Sequence, residues 1–377
     1  MQCLLAVDRT ELSKTLLSYL EAMPNVKLVF NHKLIWADFE KKVARFERRA
    51  EYTEKQGEGV EISFDLLIGA DGAHSAVRYQ LMKFVPMSFQ QHYINKLWCQ
   101  FHILPSSTGD FRIPPNYLHI WPQDDSMFIA LPNLDKSFTG TLFLTREDVE
   151  DLDASGKIVK YFKEKFPGVV PELVSEEELC NQYATFPHLP LISIKCSPYH
   201  YGGSGVILGD SAHAMVPFYG QGMNAGLEDV RVLFDFLDKH PGDLPTALRE
   251  YTRHRTPDAH TINDLSFGNY REMSSEVKRP LYLLRKWIEE QLYLHVPRLG
   301  WATQYSRVSF SSMRYTEVQQ AAQRQAKILN RIFGLTFTTS ILCAFWFVRS
   351  AAAQQAKMSM LRFICTVAQR FQQIVEG

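Results

Sequence analysis

The chain has 377 residues, with 41 lysines and arginines balanced by 41 aspartates and glutamates, and 46% of its residues are hydrophobic. That length allows two domains and a large core, while scattered, balanced charge argues against a nucleic-acid partner. The six cysteines (Cys3, Cys99, Cys180, Cys196, Cys343 and Cys365) show neither a C-x-x-C pair nor zinc spacing, so they fit a reducing compartment rather than a disulfide framework.

Met1–Val7 reads as a strand from inside a domain; with no basic region and no cleavage site it is not a signal peptide. Asp8–Glu11 has capping-box spacing and opens a helix whose apolar face is Leu12, Leu16, Leu17 and Leu20. Val26–Phe30 is expected as a strand, and Phe39–Phe46 with Val60–Phe64 as a β-ribbon about Gly57-Glu58-Gly59. Asp65–Ile68 is a buried strand that ends in the corner Gly69-Ala70-Asp71-Gly72 and enters a helix capped by Ser75. Tyr117–Pro122 and Met127–Pro132 flank the turn Gln123–Ser126, and Ser137–Leu144 adds another strand. Their β-branched and aromatic content indicates an antiparallel sheet. Ile158–Phe166 is a helix closed by Pro167-Gly168.

Gly205–Leu208 is a second buried strand ending in an acidic corner, Gly209-Asp210. A loop with Pro217, Gly220 and Gly222 follows, and then a helix containing Gly226. A carboxylate on a strand end can accept hydrogen bonds from sugar or ribityl hydroxyls. Glycines at a helix start let a ligand approach amides that favour negative charge. A glycine-tolerant loop packed on its own helix is the plain alternative. The aspartate, the proline and three glycines occurring together favour a cofactor site.

From Leu233 the chain reads as mostly helical, including Leu281–Leu294 and Glu317–Ile332. Ile332–Val348 then carries no charge, and as a helix it spans roughly 25 Å, near the lower limit for a membrane span. Basic flanks and Phe345-Trp346-Phe347 favour a short anchor over a buried core helix. Beyond it Met360, Ile364, Val367, Phe371 and Ile374 recur at helical spacing among Lys357, Arg362 and Arg370, as in a tail resting on an anionic surface.

The two corners, L-L-I-G-A-D-G-A-H-S-A-V-R from Leu66 and V-I-L-G-D-S-A-H-A-M-V-P-F-Y-G-Q-G-M-N-A-G-L-E-D from Val206, are similar to the second and third signatures of the flavin-dependent aromatic hydroxylases. Further pieces at Pro24–Leu34, Asn116–Pro122, Phe128–Asn133, Lys136–Phe143 and Asn263–Met273 resemble the kynurenine-hydroxylating branch of that family. The likeness runs from Cys3 to about Tyr315. It implies an α/β (α+β) fold in which an incomplete FAD-binding Rossmann-like domain (1–90 and 201–245) is interrupted by an antiparallel substrate sheet (91–200). C-terminal helices (246–330), a transmembrane anchor (332–348) and an amphipathic tail (349–377) complete it.

The reaction implied is hydroxylation of L-kynurenine to 3-hydroxykynurenine with FAD, NADPH and O2, on the route from tryptophan to NAD. The implied location is the mitochondrial outer membrane, with the catalytic part in the cytosol. By resemblance the cofactor residues are Arg9, Leu34, Asp71, Gly72, Asp210, Gly222, Met223 and Asn224. Asn269 and Tyr305 would hold polar groups of the substrate, and Pro217, Phe218 and Gln221 would line its pocket. No catalytic acid or base and no metal ligand is assigned, and His213 is read as structural. The family's first signature, G-x-G-x-x-G, does not occur in these residues. The resulting expectation is poor or absent FAD binding and little activity. Another aromatic-ring hydroxylase and a non-catalytic, membrane-tethered remnant are the alternatives.

Overall fold

In the computed structural model residues 7, 9–48, 59–274, 279–296, 298, 300–349, 360 and 364 are described. They fall into two compact units, Met1–Thr316 and Glu317–Gly377. The division lies inside the helical stretch 246–330 expected from the sequence. Residues 1–6 of the expected first strand, the residues Gly57 and Glu58 and most of the tail 349–377 lie outside the described residues.

The first unit opens with helix α1 (Arg9–Glu21). Leu16 and Leu17 of its apolar face are exposed, and Leu12 and Leu20 are half-buried. Strands β1 (His32–Asp38), β2 (Val43–Arg48) and β3 (Val60–Ser63) form an antiparallel meander. Two expectations change here. Val26–Phe30 makes no strand among the described residues; Asn31, at φ 60°, separates it from β1. Phe39–Lys42 is a turn and not the start of a strand, because Asp38 Oδ1 accepts the amides of Glu40 and Lys41 at 3.0 and 2.8 Å. A short acceptor at that offset competes with the sheet ladder.

Strand β4 (Leu67–Gly69) leads to helix α2 (Ala76–Leu81), where Ser75 accepts the Arg78 amide as expected. A five-stranded antiparallel sheet follows, in the order β6 (His119–Pro122), β7 (Met127–Pro132), β8 (Phe138–Leu144), β5 (Ser88–Ile103) and β9 (Leu189–Ser197). The expected hairpin about Gln123–Ser126 is present, with Pro122 opposite Met127. The two longest strands, β5 and β9, carry no clean alternation and were not read from the sequence.

One face of this sheet packs Phe101, Phe128 and Phe138 against a core with Phe162 and Phe166, from helix α4 (Ile158–Lys165) and its cap. Helices α3 (Arg146–Ser155) and α5 (Glu176–Thr185) add Val149, Leu152, Leu179 and Tyr183. On the opposite face Met127, Phe143 and Leu191 gather with Val216 and Phe218.

The chain then returns through β10 (His200–Tyr201) to β11 (Gly205–Ile207), which pairs in parallel with β4, Ile207 opposite Gly69. Short helix α6 (Asp210–His213), a 3-10 turn at Pro217–Tyr219, and helices α7 (Gly222–Lys239) and α8 (Leu244–Ser274) follow. The second core joins Val206 and Ile207 to Leu34, Phe39, Val77, Leu81, Leu233 and Tyr251. The approach there is close: a Cβ on Gly205 would stand 2.5 Å from Phe39 and 2.9 Å from Leu81. Overpacking of that kind costs about 1–3 kcal/mol. We expect Gly205→Ala to lower the urea midpoint accordingly, and an unchanged midpoint would show that Phe39 can swing aside.

Helices α9 (Pro280–His295) and α10 (Gln304–Phe310) complete the first unit. Helix α11 (Tyr315–Arg349) follows and supplies most of the described part of the second unit. It includes the expected anchor, although the side chains of 336, 337 and 341–349 lie outside the described ones. Among the described residues no helix is long and apolar enough to cross a membrane.

Candidate active site

The parallel pairing of β4 with β11 brings the two acidic corners to the same edge, because both follow the carboxyl ends of adjacent strands. In open α/β sheets ligands bind at such ends. Ser211 joins the corners directly: its hydroxyl donates to Asp71 Oδ1 at 3.0 Å and accepts the Gly72 amide at 3.0 Å. The buried Arg78 tightens the junction, donating to Ser211 O and Ala73 O at 2.6 Å each.

Asp71 and Asp210 are not equivalent. Asp71 Oδ1 also accepts from Ser75 Oγ at 2.5 Å, and Oδ2 accepts the amides of Ala76 and Val77 at 2.7 and 3.1 Å. A carboxylate offers about four acceptor positions, and Asp71 uses four within the protein. Its side chain braces the corner and the start of α2. Burial opposes its charge, but the hydrogen bonds from Ser75, Val77 and Ser211 outweigh it and hold the carboxyl below its ordinary range. A native value below the unfolded one stabilises the fold above the usual carboxylate range of about 4 and loses that contribution as pH falls through the native value. We expect Asp71→Asn to cost about 1–3 kcal/mol at pH 7, since two amide donors would meet an amide. The loss should shrink at pH 3, and urea unfolding at both pH values checks it.

Asp210 is exposed, and its side chain makes no hydrogen bond to another described residue. Gly209 before it holds φ 58° and ψ −142°, a region open only to glycine, and this turns the aspartate out of the sheet. Helix α7 starts at Gly222; Gln221 caps none of its first amides with its side chain, and no acidic residue sits in the first turn. Met223 and Asn224 are exposed there. Free amides at the positive end of an 18-residue helix suit a ligand with negative or carbonyl character.

Two other expected cofactor residues come from β1 and α1. Leu34 lies in the second core at 9% exposure, so only its backbone could reach a ligand. Arg9 begins α1, and its side chain is outside the described ones.

The five expected substrate residues do come together. Phe218 is buried between Phe143 of the sheet, 4.9 Å between ring centres, and Tyr270 of α8, at 4.4 Å. Asn269 Nδ2 donates to Phe218 O at 2.7 Å. Tyr305 stacks on Tyr219 at 5.9 Å. Gln221 is buried and Pro217 exposed on the same loop. The site is therefore a loop between β11 and α7, walled by the sheet on one side and by α8 and α10 on the other.

Sequence reasoning missed the brace beneath this loop. Asp229 of α7 is fully buried; its Oδ2 accepts the Gly209 amide at 2.7 Å and lies 2.5 Å from His213 Nε2. Arg255 of α8, also buried, pairs with Asp229 Oδ1, with Glu228 at 2.7 Å and with Ala225 O at 3.0 Å. Burial would raise the Asp229 pKa, but His213 and Arg255 together hold it below its ordinary range. Asp229 closes the quoted motif, whereas Arg255 has no local signal and only the packing of α7 on α8 reveals it.

The family described as FAD binding domain matches residues 2–266. A kynurenine 3-monooxygenase of Phaeosphaeria nodorum is 68% identical over 376 residues, covering 99% of this chain and 78% of that protein. The chain belongs to the kynurenine 3-monooxygenase family. Further members from Neosartorya fischeri (54% identical, 89% of this chain and 69% of that protein) and Aspergillus oryzae (55%, 91% and 71%) agree. Among solved structures, the fold is shared with 2-methyl-3-hydroxypyridine-5-carboxylic acid oxygenase at TM-score 0.57, 18% identity and coverage of 73% and 70%. It is also shared with P. aeruginosa PqsL in complex with 2-aminobenzoylacetate, at TM-score 0.53, 17% identity and coverage of 70% and 69%. For the FAD domain of this family the uncapped start of α7 and the exposed Asp210 are a fitting donor and acceptor pair.

Proposed function

We propose that the chain hydroxylates L-kynurenine to 3-hydroxykynurenine using FAD, NADPH and O2. The observation that carries this reading is the meeting of both acidic corners, through Ser211, at the mouth of an aromatic-walled loop. Asp210 would accept hydrogen bonds from ribityl hydroxyls, and the amides of 222–224 would face the electron-rich edge of the ring system. When bound, reduced FAD with O2 supplies an electrophilic oxygen for the substrate ring.

The protein's own part is binding, orientation and exclusion of water. Phe218, packed between Phe143 and Tyr270, would fix the loop that borders the substrate ring. Asn269, held by its bond to Phe218 O, keeps its own carbonyl oxygen for an ammonium or amine donor. Tyr305 closes the side formed by Tyr219. An aromatic amine already activates its ortho carbon, so placement matters more than an acid or base.

The decisive assay supplies the purified chain with FAD, NADPH and L-kynurenine and identifies products by mass. 3-Hydroxykynurenine is expected; hydroxylation of a phenol in its place would move the chain to another ring hydroxylase. Asn269→Leu should raise KM about tenfold or more, the usual loss when a polar contact to substrate is left unmade.

Membrane attachment through 332–348, on the outer membrane of the mitochondrion, is the location proposed. Its support is the uncharged run with basic flanks. Carbonate-resistant retention in a membrane pellet is expected, and full release by carbonate would count against it.

A further inference from the structure

We propose that Tyr315 is a positioning residue for the substrate loop, an inference that rests on the function proposed above. Its ring is buried, and its hydroxyl donates to Gln221 Oε1 at 3.2 Å. The same oxygen accepts from Asn224 Nδ2 at 3.3 Å. An amide nitrogen can only donate, so the oxygen of Gln221 must face these two groups and its Nε2 must face away. Among the described residues nothing accepts from that Nε2.

The result is a fixed pair of N–H donors at the first position before α7, between Phe218 and Asn224. Such donors suit a carbonyl or carboxylate oxygen on an aromatic substrate. A glutamine loses about 1.5–2 kcal/mol of side-chain entropy when ordered. Tyr315 orders it before the ligand arrives, so less of the binding energy goes to that ordering.

Tyr315 is itself held by Arg255 and through its two chain neighbours. Arg255 lies over its ring at 5.8 Å, and the same guanidinium grips Glu228 and Ala225 O of α7. Arg314 Nε donates to Asp258 Oδ2 at 2.7 Å, while the amide and hydroxyl of Thr316 donate to Asp258 Oδ1 at 3.1 and 2.7 Å. The hydroxyl therefore acts from a rigid base on α8. It links the residue that opens the last long helix to the loop where the ligand sits.

Tyr315→Phe in the full chain removes only the O–H and keeps the ring beneath Arg255. Hydrogen exchange of the bonded amides of Gly220 and Ala225 should quicken about fivefold, the factor one ordinary hydrogen bond supplies, with exchange elsewhere unchanged. With kynurenine as substrate, KM should rise by about the same factor while kcat moves less than about twofold. In a Gln221→Ala background the same substitution should then do nothing further. Unchanged exchange at Gly220 and Ala225, a uniform rise across the whole first unit, or additive effects in the double variant would each overturn the role. If kynurenine is not turned over at all, the function proposed above fails, and the exchange result still decides the matter for Tyr315.

Discussion

Arg255→Ala is expected to lower the stability of the folded chain by about 3–5 kcal/mol, because it strands the buried carboxylate of Asp229 without its cationic partner. Arg255 is 2% exposed and Asp229 0%, so water cannot take over the lost interaction. The carboxylate also holds the Gly209 amide and His213, so the loss reaches the corner that presents Asp210. Glu228 offers a contrast in the same cluster. Its side chain is 32% exposed, and Glu228→Gln should cost under about 1 kcal/mol, as for other partly solvated pairs. Urea unfolding of both variants at pH 7 separates the cases. A loss for Arg255→Ala as small as that for Glu228→Gln would mean that water enters the cluster. The pH dependence has a definite sign: the native Asp229 carboxyl lies below its unfolded value, so its contribution is present above the ordinary carboxylate range and disappears as pH falls through the native value.

The second large effect separates the two acidic corners. Asp210→Ala should weaken FAD binding about 10- to 100-fold, the loss of one or two hydrogen bonds to a charged acceptor, while leaving the unfolding midpoint of the flavin-free chain nearly unchanged. Asp210 is exposed and braces nothing. Asp71→Asn should do the reverse, since its four acceptor positions are filled from Ser75, Ser211, Ala76 and Val77. Flavin fluorescence titration beside thermal unfolding reads both quantities. If Asp210→Ala melted the chain without touching flavin affinity, the assignment of Asp210 to the cofactor would be lost.

Much of the local architecture was legible in the residues. The helix cap at Ser75, the hairpin about Gln123–Ser126 and the strand before Gly209 depend on neighbours within a few positions, where turn chemistry and side-chain period act. The misses have equally local causes. Phe39–Lys42 has the composition of a strand, but Asp38 offers its amides a closer acceptor. Val26–Phe30 is β-branched and aromatic, yet a strand exists only where another strand lies beside it. Strands β5 and β9 pair over most of their length, with a shift between Tyr93 and Leu97 that breaks the alternation a sequence reading relies on.

By itself the order of residues determined that there are two acidic strand ends and a glycine-bearing loop that leads into a helix. The motifs are contiguous, and their chemistry does not depend on what folds against them. Only the tertiary structure decided that the two ends meet, that Ser211 is the joint, and that one aspartate is spent on the fold while the other stays open. Those outcomes turn on contacts between residues more than a hundred positions apart. Such contacts are set by the parallel register of β4 with β11 and by the packing of α7 on α8, which no local pattern encodes.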